Sequence, residues 1–395
     1  MIQLNHDYDK LKPSYLFYRI NQKVASLRAE DPHRRLLLLG VGDVTLPLAP
    51  AVIAAMHRAV DEQSRKESFQ GYMPELGKDF LKQAVADYYS RLGFRPDPEE
   101  VFISYGAGDE LGSIGDLFAS GNRVAVPEPA YPAYVDTNLM DGRTVLSIPG
   151  NWDNGFLPMP DENLDADLVY LCSPNNPTGA AYRRSQLQTW VDWANALGAV
   201  LIFDAAYEAF IIQPDVPHSI YELPGARECA IEIASLSKTA GFTGTRLGWT
   251  VIPKALVREG RSLHAMWVRN RTTRFNGVSY ILQRAGEAAL SPEGMEQNLL
   301  NIKQYRENGR ILMQALDRLG VSYTGGVNAP YLWFRCPNGM DSWEFFDFLI
   351  DRASIVGTPG EGFGACGEGW FRFSCFGSAE DTAEAAARLG RIQGS

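Results

Sequence analysis

The feature that most constrains this chain is a series of short apolar, β-rich runs, each stopped by a small, polar or proline residue. Arg35–Leu39 runs into Gly40-Val41-Gly42-Asp43, Val101–Ser104 is followed by Gly106, and Arg123–Val126 ends at Pro127. Asp167–Cys172 stops at Ser173-Pro174, Ala199–Phe203 at Asp204, Cys229–Ala234 at Ser235, and Trp249–Ile252 at Pro253. Helix-like segments such as Arg184–Leu197 lie between them. Short buried strands separated by amphipathic stretches predict βαβ units, hence an α/β fold around a mostly parallel sheet. The later part of the chain differs. A helix-like Met295–Leu319, a strand-like Tyr331–Cys336, a helix-like Ser342–Arg352 and a strand-like Trp370–Cys375 predict a smaller α+β domain. The expected division is 1–45 as an N-terminal arm and part of the small domain, 46–290 as the large domain, and 291–395 as the C-terminal small domain.

In open α/β sheets the ligand sits at the carboxyl ends of the strands, so the residues just after each run carry the chemistry. Ser235-Leu236-Ser237-Lys238-Thr239-Ala240-Gly241 places one lysine among hydroxyls and glycine, and Arg246 follows eight residues later. Hydroxyls, main-chain N–H groups and a forked cation suit a phosphate, and the lysine suits a Schiff base with an aldehyde cofactor. Asp204 ends an apolar run, so its carboxylate needs a partner, and a protonated pyridine nitrogen is one. Tyr207, three residues on, and Asn176 in Ser173-Pro174-Asn175-Asn176-Pro177-Thr178-Gly179 are placed to reach that cofactor's phenolic oxygen. Taken singly, each motif also reads as a loop, a helix cap or a turn.

The charge and cysteine content narrow the partners. Lys and Arg number 37 against 47 Asp and Glu, a net charge of −10 over 395 residues, which disfavours nucleic acid. No apolar run reaches the roughly 18–20 residues of a membrane span, and the first residues, with neither a basic nor an apolar stretch, are not expected to act as an export signal. Five cysteines without a C-x-x-C spacing argue against a disulfide framework or a metal site and for a cytoplasmic enzyme.

The ordered set of Asn-Asn-Pro-Thr-Gly, a strand-end Asp with Tyr three later, and Ser-x-Ser-Lys with Arg eight later resembles the class I/II aminotransferases of fold type I. Longer stretches are similar to the LL-diaminopimelate aminotransferase family. These include Phe203-Asp-Ala-Ala-Tyr-Glu-Ala-Phe210, Pro217-His-Ser-Ile-Tyr-Glu222, Phe275-Asn-Gly-Val-Ser-Tyr280 and Gly325-Gly-Val-Asn-Ala-Pro-Tyr331. The resemblance implies a large domain with a mostly parallel seven-stranded sheet, a smaller α+β domain, and pyridoxal 5′-phosphate as cofactor. It implies that Lys238 holds the cofactor and moves the proton, that Asp204 pairs with its ring nitrogen, and that Asn176 and Tyr207 meet its phenolate. Tyr131 would stack on the ring, and Ala107, Gly108, Ser235, Ser237 and Arg246 would hold the phosphate. Arg372 would fork the substrate α-carboxylate. Tyr15, Gly42 and Glu75 match substrate-pocket positions, with Tyr131, Asn176 and Asn276 also contacting substrate. Tyr72 and Asn276 would cross from a second subunit, making a homodimer with shared sites. The substrates implied are LL-diaminopimelate and 2-oxoglutarate.

Four positions depart from that family. Its Asp-Gly-Ala-Lys appears as Tyr105-Gly106-Ala107-Gly108, and its Gly-Tyr-Gly-x-Glu-Gln-Gly as Gly71-Tyr72-Met73-Pro74-Glu75-Leu76-Gly77. The family lysine is a substrate contact, so Gly108 opens the alternative of a different amino donor. A cyclase or lyase on the same scaffold is a further alternative, because the same lysine, aspartate and arginine serve it. A nucleotide-binding reading of Gly362-Phe-Gly364-Ala-Cys-Gly367 fails on order, since those glycines run into a strand rather than a helix.

Overall fold

The computed structural model describes residues 2–12 and 15–392. The predicted Arg35–Leu39 strand is reduced to β1 (Leu37–Leu38). Strands β2 (Val101–Ser104), β3 (Arg123–Glu128), β4 (Thr144–Pro149), β5 (Leu168–Cys172), β6 (Val200–Asp204), β7 (Ala230–Ser235) and β8 (Gly248–Val251) form one sheet. Its order is β2-β8-β7-β6-β5-β3-β4. Every residue of β5, β6 and β7 is buried, as continuous apolar runs require when helices cover both faces. The helix Arg184–Leu197 turns Leu187, Trp190, Val191 and Ala194 inward, at the spacing of one helical face, and ends at Gly198 with φ +71°.

Two details differ from the sequence reading. Pro127 does not end β3, which continues to Glu128. It lies beyond Val124 and Ala125, the residues paired with β5, so its missing N–H breaks no bond on that side. The strand read as Trp249–Ile252 is not part of a parallel unit. It is β8, antiparallel to both β7 and β2. The link from β7 carries only one helical turn, Leu236–Thr239, too little helix for a parallel crossover. Antiparallel entry has a functional consequence, because Gly248 pairs with Ser235. Arg246 therefore arrives at the carboxyl edge of β7.

A short hairpin of β9 (Val257–Arg258) and β10 (Arg261–Ser262) follows. Beyond it, the 28-residue helix Pro292–Leu319 leads into a second sheet. This contains β11 (Tyr323–Gly325) and β12 (Tyr331–Arg335). After β13 (Ile355–Val356) come β14 (Thr358–Pro359) and β15 (Trp370–Ser374), and the order is β11-β12-β15-β14. Strand β1 pairs in parallel with β13, so both ends of the chain build this layer. Its core gathers Leu16, Ile20, Leu37, Trp333, Phe345, Leu349, Phe371 and Phe373. Strand β15 is an inner strand of this sheet, and Arg372 on it is fully buried.

Two carboxylates in the large unit are buried without serving the cleft described below. Glu232 on β7 accepts from the hydroxyls of Tyr89 at 2.6 Å and Ser219 at 2.7 Å, and from the Ile220 N–H at 2.9 Å. Glu110 lies 3.4 Å from Arg271 and accepts from Thr250. Burial pushes each carboxyl up to about 7. The unfolded chain releases these protons near pH 4.5, so between about pH 5 and 7 the folded state binds more protons. Their stabilisation is present at low pH and lost as pH rises through 7. The melting temperature of the ligand-free protein is thus expected to be higher at pH 5.5 than at pH 8. A melting temperature that held or rose across that range would contradict this.

Candidate functional site

A cavity of about 370 Å³ opens at the carboxyl edge of the large sheet, where the second sheet faces it. The ends of β2, β5, β6 and β7 and the start of β8 converge there. The cavity is lined by Gly42, Ala107, Gly108, Tyr131, Asn176, Asp204, Tyr207, Ser235, Ser237, Lys238, Arg246 and Arg372. Twelve residues picked from seven separate sequence segments thus share one cleft.

One edge gathers hydroxyls and a cation. Ser235 caps the short helix carrying Lys238, its Oγ accepting from the Ser237 N–H at 3.1 Å and donating to Ser237 Oγ at 2.9 Å. Arg246 Nη1 donates to Ser237 Oγ at 3.0 Å. Gly106, with φ +105°, keeps this corner open, since a Cβ there would lie 2.9 Å from Arg246 Nη2. A doubly charged phosphate fits such a cradle of hydroxyls and a guanidinium.

Lys238 donates from Nζ to the Gly42 carbonyl. Burial pushes its ammonium down to about 8, Arg372 and Arg246 push the same way, and Asp43 opposes them. A buried amine near neutrality can act as nucleophile and as base at physiological pH.

Asp204 is buried at the floor. The Tyr134 hydroxyl donates to its Oδ2 at 2.7 Å, and the Ala206 N–H to its Oδ1 at 2.9 Å. Burial raises its carboxyl above the usual range. Among the described residues no cationic side chain pairs with it. A pyridinium nitrogen above Asp204 would supply that cation. Together with the cradle and the buried amine, this makes the cleft fit pyridoxal phosphate.

Arg372 crosses from β15. Its Nη1 donates to Asn176 Oδ1 at 2.6 Å, and its Nη2 to the Gly40 carbonyl at 2.5 Å and Thr358 Oγ1 at 3.3 Å. Its Nε has no partner. Tyr207 meets Tyr331 hydroxyl to hydroxyl at 3.0 Å.

Four expected residues stand apart from the lining. Tyr15 lies beside Tyr131 but is exposed. Tyr72, Glu75 and Asn276 do not line the cavity, and Tyr72 is 94% exposed. The loops carrying Tyr72 and Asn276 pack together, since a Cβ on Gly277 would meet Met73 and Pro74. Of the four departures, Tyr105 donates its hydroxyl to the Gly277 carbonyl at 3.1 Å, Met73 packs against Ala59 and Tyr280, and Leu76 packs against the core cluster that includes Phe102. Only Gly108 lines the cavity, and a Cβ there would meet nothing within 4 Å.

Tyr134, Tyr331, Phe17 and Thr358 were not picked from the sequence. Tyr134 lies three residues after Tyr131, in the first turn of the helix Ala133–Met140, which begins just beyond Tyr131. Tyr331 and Thr358 lie far along the chain from the residues they touch, and no local pattern marks them.

The family model described as aminotransferase class I and II matches residues 34–389. LL-diaminopimelate aminotransferases from Lachnospira eligens and Agathobacter rectalis are each 49% identical over 98% of this chain and 99% of the relative. The solved structure of L,L-diaminopimelate aminotransferase from Chlamydomonas reinhardtii superposes with a TM-score of 0.93 at 41% identity, over 99% of this chain and 98% of that one.

Proposed function

This chain belongs to the class I and II aminotransferases, which use pyridoxal phosphate, and from that premise we propose that it transfers an amino group between LL-diaminopimelate and 2-oxoglutarate. The observation that carries the reading is the single cleft that gathers a buried amine, Lys238, the buried carboxylate of Asp204 and two guanidiniums, the partly buried Arg246 and the fully buried Arg372. Near-full-length similarity to LL-diaminopimelate aminotransferases supports the choice of donor.

When bound, pyridoxal phosphate supplies an electron sink for charge left on the substrate α-carbon. The chain does the rest. Ser235, Ser237 and Arg246, with the backbone of Ala107 and Gly108, hold the phosphate. Asp204 keeps the ring nitrogen protonated, and Tyr134 holds Asp204 in place. Tyr207 and Asn176 address the phenolic oxygen, and Tyr131 covers the ring. Arg372 orients the substrate by its α-carboxylate, which fixes the α-hydrogen within reach of Lys238. Lys238 takes that proton as a neutral amine and returns it on the other side of the transferred nitrogen. With a net charge of −10, the protein gathers acidic substrates through these local cations and not through its overall field.

The exposure of Tyr72 beside the Asn276 loop supports a homodimer in which each subunit completes the other's site. Five unpaired cysteines favour a cytoplasmic setting. Among the described residues no helix is long and apolar enough to cross a membrane.

Gly108 favours a second reading, a different amino donor. Glutamate formation from 2-oxoglutarate is the test, with LL-diaminopimelate and other amino acids offered singly. Wild-type activity with LL-diaminopimelate supports the first reading; activity with another donor alone supports the second. Gly108→Lys has open room for its side chain and adds a cation beside the distal carboxylate, a contact of about 1–3 kcal/mol. Its KM for LL-diaminopimelate is expected to fall about tenfold, and an unchanged KM would show that Gly108 does not face the distal group.

A further inference from the structure

We propose that Tyr331 is a positioning residue that aims the Tyr207 hydroxyl into the cleft and ties it to the substrate-carboxylate arginine, Arg372. This rests on the aminotransferase reading above. Tyr331 sits on β12, in the second sheet, and is fully buried. Its hydroxyl lies 3.0 Å from that of Tyr207, which follows β6 in the first sheet. The guanidinium carbon of Arg372 lies 4.5 Å from the centre of its ring. A Cβ on Gly42 would fall 2.5 Å from the Tyr331 oxygen, and Gly42 carries the carbonyl that accepts from Lys238. One side chain therefore touches the cofactor-oxygen group and the carboxylate group, and abuts the residue that holds the lysine.

The direction of the hydrogen bond follows from counting protons. A phenol has one proton to donate. If Tyr207 donates to the cofactor's phenolic oxygen, it cannot also donate to Tyr331, so Tyr331 must donate to Tyr207. Arg372 beside the Tyr331 ring favours that direction, because a cation at an aromatic face makes the phenol a better donor. Arg372, Tyr207, Tyr131 and Cys172 are the titratable neighbours facing Tyr331. Tyr207 and Phe376 pack edge-on against its ring, so the ring stays seated without its hydroxyl.

Tyr331→Phe removes only the donor. In the cofactor-loaded protein, the pH midpoint of the cofactor's visible absorbance band is expected to rise by about 0.5–1 unit, the scale of one neutral hydrogen bond. In a Tyr207→Phe background the same change is expected to do nothing further, because the two hydroxyls act as one unit. No shift in Tyr331→Phe, or an equal shift in both backgrounds, overturns the proposal. A general packing role would lower the melting temperature in both backgrounds and leave the midpoint alone, which also counts against it. Wild-type protein that binds no cofactor would overturn the aminotransferase reading first, and this one with it.

Discussion

Lys238→Ala is expected to lower amino transfer by about 10³–10⁴-fold, the upper part of the range for a positioned acid–base group, while leaving the fold intact. Two properties of the wild-type residue set this expectation. Its amine is near neutrality because burial and two neighbouring guanidiniums disfavour its charge, holding it at about 8 against an ordinary 10.5. Its polar tether is one backbone carbonyl, that of Gly42. Removal therefore deletes the proton carrier and little structure. Lys238→Arg should fail as completely, since a guanidinium does not deprotonate in this pH range.

The same depressed value makes a separate statement about stability. Below its folded value of about 8 the ammonium is held where it is disfavoured, so the residue costs stability there. That cost lessens as pH rises from about 8 towards 10.5, where the unfolded chain still binds the proton. Ligand-free Lys238→Ala should accordingly melt at a higher temperature than wild type at pH 7, with the gap narrowing by pH 10. Activity lost together with a lower melting temperature at pH 7 would mean that the lysine is structural.

How far the site could be read from the sequence depends on how local each signal is. Lys238, Asp204 and Asn176 each follow a buried run, and a buried run announces its own end, so their place at one sheet edge was legible. Helix Arg184–Leu197 was legible for the same reason: its buried face repeats within the segment. Arg246 was legible only as a spacing, and its arrival depends on the antiparallel turn of β8, which the apolar run Trp249–Ile252 does not encode. Strand β4 was missed because it is an edge strand, half exposed, with no continuous apolar run. Thr358 and Tyr331 depend on the register between separate strands, which no local pattern in either strand encodes. Thr358 is opposite Arg372 only because β14 pairs with β15. Gly108 shows the converse limit. The sequence exposes its departure from the family pattern, but only the structure separates it from Met73 and Leu76, which fill the core.

Arg372→Ala is expected to reduce kcat/KM by about 10²–10³-fold for both the amino donor and the oxo acid, the effect of truncating one partner of a buried charge pair at about 2–5 kcal/mol. The loss should fall mainly on KM. The guanidinium is fully buried, and among the described residues it has no carboxylate partner. Its acceptors are the neutral oxygens of Gly40, Asn176 and Thr358, and its Nε is unmatched. The rings of Tyr331, Phe363 and Phe17 surround it at 4.5, 4.9 and 5.6 Å. Burial works against its charge, yet a guanidinium keeps its proton in proteins. An anion is the partner this arrangement lacks, and a carboxylate matches the fork. Arg372→Lys should recover little, because an ammonium on a flexible stem cannot bond Asn176, Gly40 and a carboxylate in one plane. Cofactor occupancy and the absorbance maximum should survive in both variants, since Arg246 and the serines hold the other end of the cleft. If Arg372→Ala instead lost its cofactor while keeping its KM, the arginine would belong to the cofactor site, and the substrate would have to be oriented by another cation.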